Sequence, residues 1–542
     1  MYSKILLLLF IFCVGRAGAE PVAMVANLQG WIDARIAEGQ TQLKVPTGVY
    51  RLAPQEIAHL EFYGLRGIEI DFQDSEIVCT DRTRAIHLED CKDIRITNLT
   101  IDYNPQLYAQ GRLTEYTSEY FEIDVFDGYP IDDLSTSSVE VYDPETHELK
   151  PGFRTFHDLE SIERLEDRSI RIHRKRHMEG VDDFVEVGDI LLVKTKRERI
   201  DGKTFAAHGV YAYECQNLYF EEVTIYASNC FSFLGEASSN LHYFRCRVDR
   251  RSDDPNVGYT RMRSSNWDAF HSINAEVGPT IEECHAAYMG DDAVNIRGDY
   301  HIVAEADGKE LTVVGKRDVN IQAGDPVEVL TRSGKLIAKA MAREVRPFSG
   351  YPKEKIDEAK GAFTLINPQI CQDVWIVTLD RPIEIEDVSV ICAVNRIGSG
   401  FKVINNFFGH NRSRGVLTKG SNGIISGNVI EDTGLESLKL SPNIGNWLEA
   451  AYYENLVVEN NIVRNGKFAA HFGKRTPAQI LVDGCRSGLV FRDNTIEYSR
   501  PTAMIVSGLD GGTVTNNTFK RIGDTETKED PIDFENCSNI ER

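Results

Sequence analysis

The sequence predicts an all-β chain: a parallel β-helix with two small antiparallel β-barrels inserted between its coils. Three observations carry this. A phrase near residue 90 recurs later in the chain, asparagines return on a regular beat towards the C-terminus, and two charge-rich stretches interrupt both patterns.

Taken in order, residues 1–19 hold Lys4, the apolar run ILLLLFIFCVG, Arg16 and a small-residue end, which is the layout of a cleavable export signal. The expected product is exported, to the periplasm or beyond the cell. No later stretch reaches the roughly 18 apolar residues of a membrane span. Residues 20–111 open with WIDARIAEGQTQLKVPTGVYRL, a helical stretch turning into a strand, which suits the end of a stack. AIHLEDCKDIRITNLTIDY (85–103) then returns as GVYAYECQNLYFEEVTIYA (209–227), with Cys91 matching Cys215, Asp93 matching Asn217 and Leu99 matching Val223. Looser copies, SNLHYFRCRV and PTIEECHA, put Cys246 and Cys284 where Leu99 stood.

In residues 396–542 the beat passes to asparagine, at positions 406, 428, 461, 494 and 517. Each unit is too short to bury its own inner face, and stacking solves that. Identical amides one above another can also form a ladder. Residues 112–200 and 304–395 lack the phrase, and each carries a Gly-Asp turn feeding an apolar strand, VGDILLV and AGDPVEVL. These are the two expected barrels, either walls that contact carbohydrate or inert spacers. Residues 201–303 between them are the central coils.

The ten cysteines beyond residue 19 show neither zinc spacing nor disulfide density, and are expected as buried thiols. Formal charge is −23, and removing the leader removes two cations and no acid. That balance excludes nucleic acid and anionic membranes as natural partners and disfavours a polyanionic substrate. GxGxxG, P-loop, HExxH, CxxC and GxSxG signatures are missing, so nucleotide, zinc, redox and serine-hydrolase chemistry have no support.

Chemistry concentrates in SSNWDAFHS (264–272) and AYMGDDAVNIRG (287–298). The Asp pairs at 132/133, 182/183 and 253/254 read as solvated turns. Asp291 and Asp292 differ, because Asp268 precedes them by one coil, and a coil advances a residue only about 4.8 Å along the axis. Three carboxylates then share one groove, provided that the backbone bends near Gly290 so that both members of the pair face it. Crowded carboxylates push at least one pKa upward, leaving a proton donor beside an ionised base. Glycoside hydrolysis uses that combination, with no metal or organic cofactor. An acidic Ca²⁺ site gathers carboxylates too, and is the rival reading. Around the trio, Trp267 is read as a core residue or a sugar platform, and His271 as a structural histidine or a sugar contact. Asn295 and Arg297 alternate with apolar neighbours and so share the groove face, with Arg297 read as a substrate contact or a solvated ion-pair partner.

The active-site strings resemble those of the β-helix polygalacturonases. With the two inserted barrels, SSNWDAFHS and AAYMGDDAVNIRGDY more closely resemble the α-1,3-galactosidases of glycoside hydrolase family 110. The resemblance implies a right-handed helix, catalytic roles for Asp268, Asp291 and Asp292, an inverting mechanism and a galactose-terminated glycan as substrate. It further implies Asp291 as general acid, Asp268 and Asp292 as holders of the attacking water, and a sugar-holding role for Trp447 and Glu449. The histidine and Arg-x-Lys pair that grip a uronate in polygalacturonases have no match here. The rivals are a β-helix hydrolase of another glycan and a non-catalytic glycan-binding β-helix.

Overall fold

The computed structural model describes residues 27–542 apart from 151–154, 158, 176–184, 197–198, 201–202, 205, 366, 467–469, 472–473, 476–477, 499–501 and 523–529. The leader expected at 1–19 and the Asp182–Asp183 pair lie outside the described residues. Among those residues, no helix is long and apolar enough to cross a membrane. The chain is all-β in architecture, a parallel β-helix interrupted by two antiparallel units.

Its N-terminal helix, Leu28–Ala37, starts where the Asn27 side chain accepts from the Gly30 N–H over 3.0 Å. That bond satisfies one of the donors a helix start leaves open. Leu28 and Ile32 drop from it into the main core.

Each coil then gives one strand to one parallel sheet and further strands to a second, larger one. The first sheet stacks Phe233–Glu236, Phe270–Ile273, Val294–Asp299, Val416–Thr418 and Leu438–Leu440, all parallel and in register. Alternate side chains point inward, so Phe270, Val294, Ile296, Val416 and Leu438 fill the core while their neighbours face out.

One corner of the coil shows how the recurring phrase works. Strand register places Leu99 beside Val223, and the next coils put Cys246 and Cys284 in the same column. Asn406 follows, and the Cys284 N–H donates to its side-chain oxygen over 2.8 Å. From there the amides form a ladder. Each side-chain oxygen of Asn428, Asn461, Asn494 and Asn517 accepts from both the backbone N–H and the amide of the asparagine before it, at 2.9–3.0 Å. Their amides also donate to backbone carbonyls such as Val403 and Ile425. The ladder thus satisfies buried polar groups that an apolar corner would leave unpaired. Cysteines 91, 215, 246 and 284 are buried free thiols, as their spacing suggested.

The first inserted unit is a seven-stranded antiparallel sheet that begins with Tyr108–Tyr116, ahead of residue 112, and ends with Ile190–Thr195. The second is a closed six-stranded barrel from His301–Asp307 to Ser389–Ala393. Only Tyr300 separates it from the strand Val294–Asp299, so it grows straight out of the sheet described above. Both units use one turn device. Gly188 and Gly324 take positive φ, and the following Asp189 and Asp325 each accept from a backbone N–H three residues earlier.

Of the Asp pairs expected in solvated turns, 132/133 is exposed. Asp254 is not, because its buried carboxylate pairs with the buried Arg261 guanidinium, seven residues further along the same loop.

Candidate functional site

The register of the first sheet sets the site. Phe270 aligns with Val294, Val294 with Val416, and Val416 with Leu438, so Asp268, Asp292, Arg414 and Glu436 form a column just ahead of their strands. Backbone bonds from Ala269 N to Asp292 O and from Ala293 N to Arg414 O tie the column together. Asp291 sits beside it in the bend before Val294. Gly290 does not have positive φ; a side chain there would strike the Asn266 carbonyl, at 2.5 Å, and Arg263. The expected bend is present at Gly290 and Asp291, and close approach between coils explains why a glycine stands there.

Asp268, Asp291 and Asp292 each bring a carboxylate oxygen within 4.8 Å of the others. The Asp268 and Asp292 side chains are 4% and 5% exposed and that of Asp291 is 20% exposed, so Asp291 is the member nearest to solvent. Burial, and then the charges of Asp291 and Asp292, hold the Asp268 carboxyl well above the usual carboxylate range. Burial also raises Asp292, with Arg414 opposing the rise and Asp291 adding to it. Arg414 donates its backbone N–H to Asp292 Oδ1 over 2.8 Å and its Nε to Glu436 over 3.0 Å. Arg412 lies 3.4 Å from Asp291 and 3.8 Å from Glu140 of the first inserted unit.

The other side chains expected at the site fall around this trio. His271 is buried, with Nδ1 2.7 Å from Asp268 Oδ2. Asn295 and Arg297 lie on the outward face of Val294–Asp299, both buried. A short strand, Glu449–Ala450, pairs antiparallel with Gly298–Asp299 and delivers Glu449 to Arg297 at 3.3 Å and to Lys419 at 2.6 Å. Although burial alone would raise its pKa, Lys419 and Arg297 hold Glu449 well below the usual range. The wholly buried Lys419 and the neighbouring Lys316 are pushed by burial down to about 8. Trp267 is half-buried, with Lys194 of the first inserted unit 4.7 Å above its ring. Trp447 is 41% exposed; among the described residues nothing joins it to the aspartates.

Sequence reasoning missed Arg412, Arg414, Lys419 and Glu436, and also Glu140 and Lys194. A signal existed for two of them: once the second barrel is excised, SRGVLTKG (413–420) lines up with DDAVNIRG (291–298), placing Arg414 at Asp292 and Lys419 at Arg297.

The three aspartate oxygens are close enough to share a divalent cation. Ca²⁺ takes six to eight oxygens, however, and the groups turned to these carboxylates are His271, Arg412 and Arg414, nitrogen donors that suit anions already in place. A second group, His410, Glu431 and Asp432, lies away from this column, with Glu148 of the first unit 3.1 Å from His410.

Residues 388–519 match the family described as a right-handed beta helix region. The chain is 24% identical over 437 residues to alpha-1,3-galactosidase B of Bacteroides thetaiotaomicron, covering 77% of this chain and 66% of that protein. It is 23% identical over 506 residues to alpha-1,3-galactosidase B of Parabacteroides distasonis, covering 82% and 76%. It is similar to these alpha-1,3-galactosidases, and its fold is a parallel β-helix. The chain thus spans just under two thirds of the Bacteroides relative, and 45% of alpha-1,3-galactosidase A of Shewanella woodyi at 22% identity over 56% of its own length. Among solved structures, the family 28 exopolygalacturonase of Yersinia enterocolitica matches at 10% identity with TM-score 0.39, covering 95% of this chain and 74% of that one. The mannuronan C-5 epimerase A-module of Azotobacter vinelandii matches at 10% identity with TM-score 0.40, covering 94% of each.

Proposed function

We propose that the protein is an exported exo-acting glycoside hydrolase that releases terminal α-1,3-linked galactose from glycans. The observation that carries this is the trio of carboxylates on adjacent coils, with burial and its neighbours pushing the pKa of one member, Asp268, well above the usual carboxylate range. The names of the similar proteins support galactose as the sugar. A neutral sugar also fits the charges, because the groove cations are matched internally: Lys419 and Arg297 by Glu449, Lys316 by Asp299, and Arg414 by Glu436.

In this scheme the trio holds one proton and burial lodges it at Asp268. Asp291, the most exposed member, takes up that proton from Asp268 and passes it to the leaving glycosidic oxygen. Asp292, ionised beside Arg414, takes a proton from the attacking water beside Asp268, and the C–O bond to the sugar breaks as the new one forms. Arg297, Asn295 and Glu449 line the floor, while Trp267 supplies an aromatic face for the apolar side of galactose.

The inverting course follows from the family resemblance. A retaining course is the second reading, favoured by the nearest-oxygen spacing within 4.8 Å, since inverting pairs typically stand about 6.5–9.5 Å apart and retaining pairs about 5 Å apart. Proton NMR during hydrolysis of an α-galactoside tests both substrate and course. The proposal expects β-galactose to appear first; α-galactose first selects retention, and cleavage of polygalacturonate with no galactose released replaces the substrate.

A further inference from the structure

His271 was expected to be a structural residue or a sugar contact, and its surroundings leave no ring nitrogen for a sugar. Arg297 Nε lies 3.2 Å from His271 Nε2, and a guanidinium N–H only donates, so Nε2 must be the bare, accepting nitrogen. In a neutral imidazole the proton then sits on Nδ1, which faces Asp268 Oδ2 at 2.7 Å. Phe231 packs on the ring with centroids 4.3 Å apart, and flipping the ring would exchange both nitrogens for carbons and lose both bonds. Arg297 is itself held, by Asp299 and by Glu449 at 3.3 Å. The charged groups facing the ring are Asp268, Arg297, Glu449, Lys419 and Arg317, and burial with the Arg297 charge keeps the imidazole neutral well below its ordinary pKa.

The other Asp268 oxygen, Oδ1, faces the Asp292 backbone N–H at 3.3 Å. We propose that His271 is a positioning residue: locked by Arg297 with its proton on Nδ1, it donates to Oδ2 of Asp268 and leaves Oδ1, on the Asp292 side, to carry the proton used in the reaction. The role in catalysis rests on the hydrolase reading above; the tautomer does not. The chain Arg297, His271, Asp268 runs across adjacent coils, so strand register fixes which oxygen faces the cleft.

Two measurements on the full-length protein test this. In the first, histidine-¹⁵N NMR reads the tautomer without any substrate, with His271→Asn to assign the signal. The result expected is a histidine protonated at Nδ1 and bare at Nε2 from pH 5 to 8, which changes form in Arg297→Met. A His271 protonated at Nε2, or an imidazolium in that range, overturns the proposal.

The second compares two amides at position 271. The Asn amide nitrogen sits where Nδ1 does, and the Gln amide nitrogen where Nε2 does. His271→Asn is expected to keep kcat/KM within about tenfold of wild type. His271→Gln is expected to lose about 100-fold, with the basic limb of its pH profile moved up by about one unit, since the ionised Asp268 has lost a donor. Equal losses in the two variants, or an unmoved limb, overturn the positioning role. If the wild-type protein releases no sugar, the hydrolase reading fails, and the NMR result still decides the tautomer.

Discussion

Arg414 reaches Asp292 twice, through its backbone N–H at 2.8 Å and its guanidinium at 3.4 Å, although the second barrel lies between them in sequence. The barrel leaves the stack after one active-site strand and returns at the next, so the two residues end up one coil apart. Replacing Arg414 by Met is expected to lower kcat/KM by about 100-fold, because Asp292 and Glu436 would then face each other without their shared cation. Steady-state kinetics against an aryl α-galactoside checks it; a loss below tenfold would leave Arg414 a structural role only.

Asp268→Asn should stabilise the protein while abolishing turnover. The folded protein holds the Asp268 proton to higher pH than the unfolded chain, whose carboxyl titrates near 3.8. Between those two values the folded state binds more protons, so stability falls as pH rises through the window. Asn has no proton to lose. Its advantage is therefore nil near pH 3, grows through the window and is full above it, at about 2 °C in Tm. Thermal melts of both proteins at pH 3.5 and 7.5 would show it, and an advantage larger at the lower pH would contradict the sign.

The asparagine column supplies a stability test away from the site. Asn428 is fully buried, accepts two bonds from Asn406 and donates to Val403 O and Asn461 Oδ1. Asn428→Leu strands those partners and is expected to cost about 2–3 kcal/mol, measured by denaturant unfolding. The exposed Asn422 is engaged through its side chain by Asn455, and Asn422→Ala should cost less than about 1 kcal/mol.

The fold was legible because a stacked coil repeats its own grammar. Leu99, Val223, Cys246, Cys284 and Asn406 occupy one corner column, and each is flanked by the same short apolar runs. The aspartates were legible for a related reason, since Asp268 precedes the pair by a single coil with no insertion between. Arg414 and Lys419 were hidden by the barrel that separates them from their partners. Glu140 and Lys194 carry no local signal at all: they reach Arg412 and Trp267 only because the first inserted unit folds back on the coils. That contact favours the first unit as part of the site wall over the alternative of an inert spacer.

Glu140 tests that wall. Its carboxylate is 1% exposed and pairs with Arg263 while lying 3.8 Å from Arg412, the partner of Asp291. Glu140→Ala leaves two buried guanidinium groups short of a counter-charge and is expected to cost about 3–5 kcal/mol. Chemical denaturation measures that, and a change below about 1 kcal/mol would detach the first unit from the site.

Chelation separates catalysis from the cation rival. Dialysis against excess EDTA is expected to leave both turnover and Tm unchanged, since Arg412 and Arg414 already balance the trio and His271 donates a hydrogen bond to it. A Tm that falls on chelation and recovers with Ca²⁺, and not in Asp292→Asn, would reassign the three aspartates as ligands.

The most direct measurement is the rate of galactose release from an α-1,3-linked galactoside by the wild-type protein and by Asp291→Asn, both shown to be folded by their melting curves. Proton transfer through this carboxyl predicts release by the wild type and a fall of about 10²–10⁴-fold in the variant. Turnover in Asp291→Asn within about tenfold of wild type, or no galactose from either protein, would contradict it.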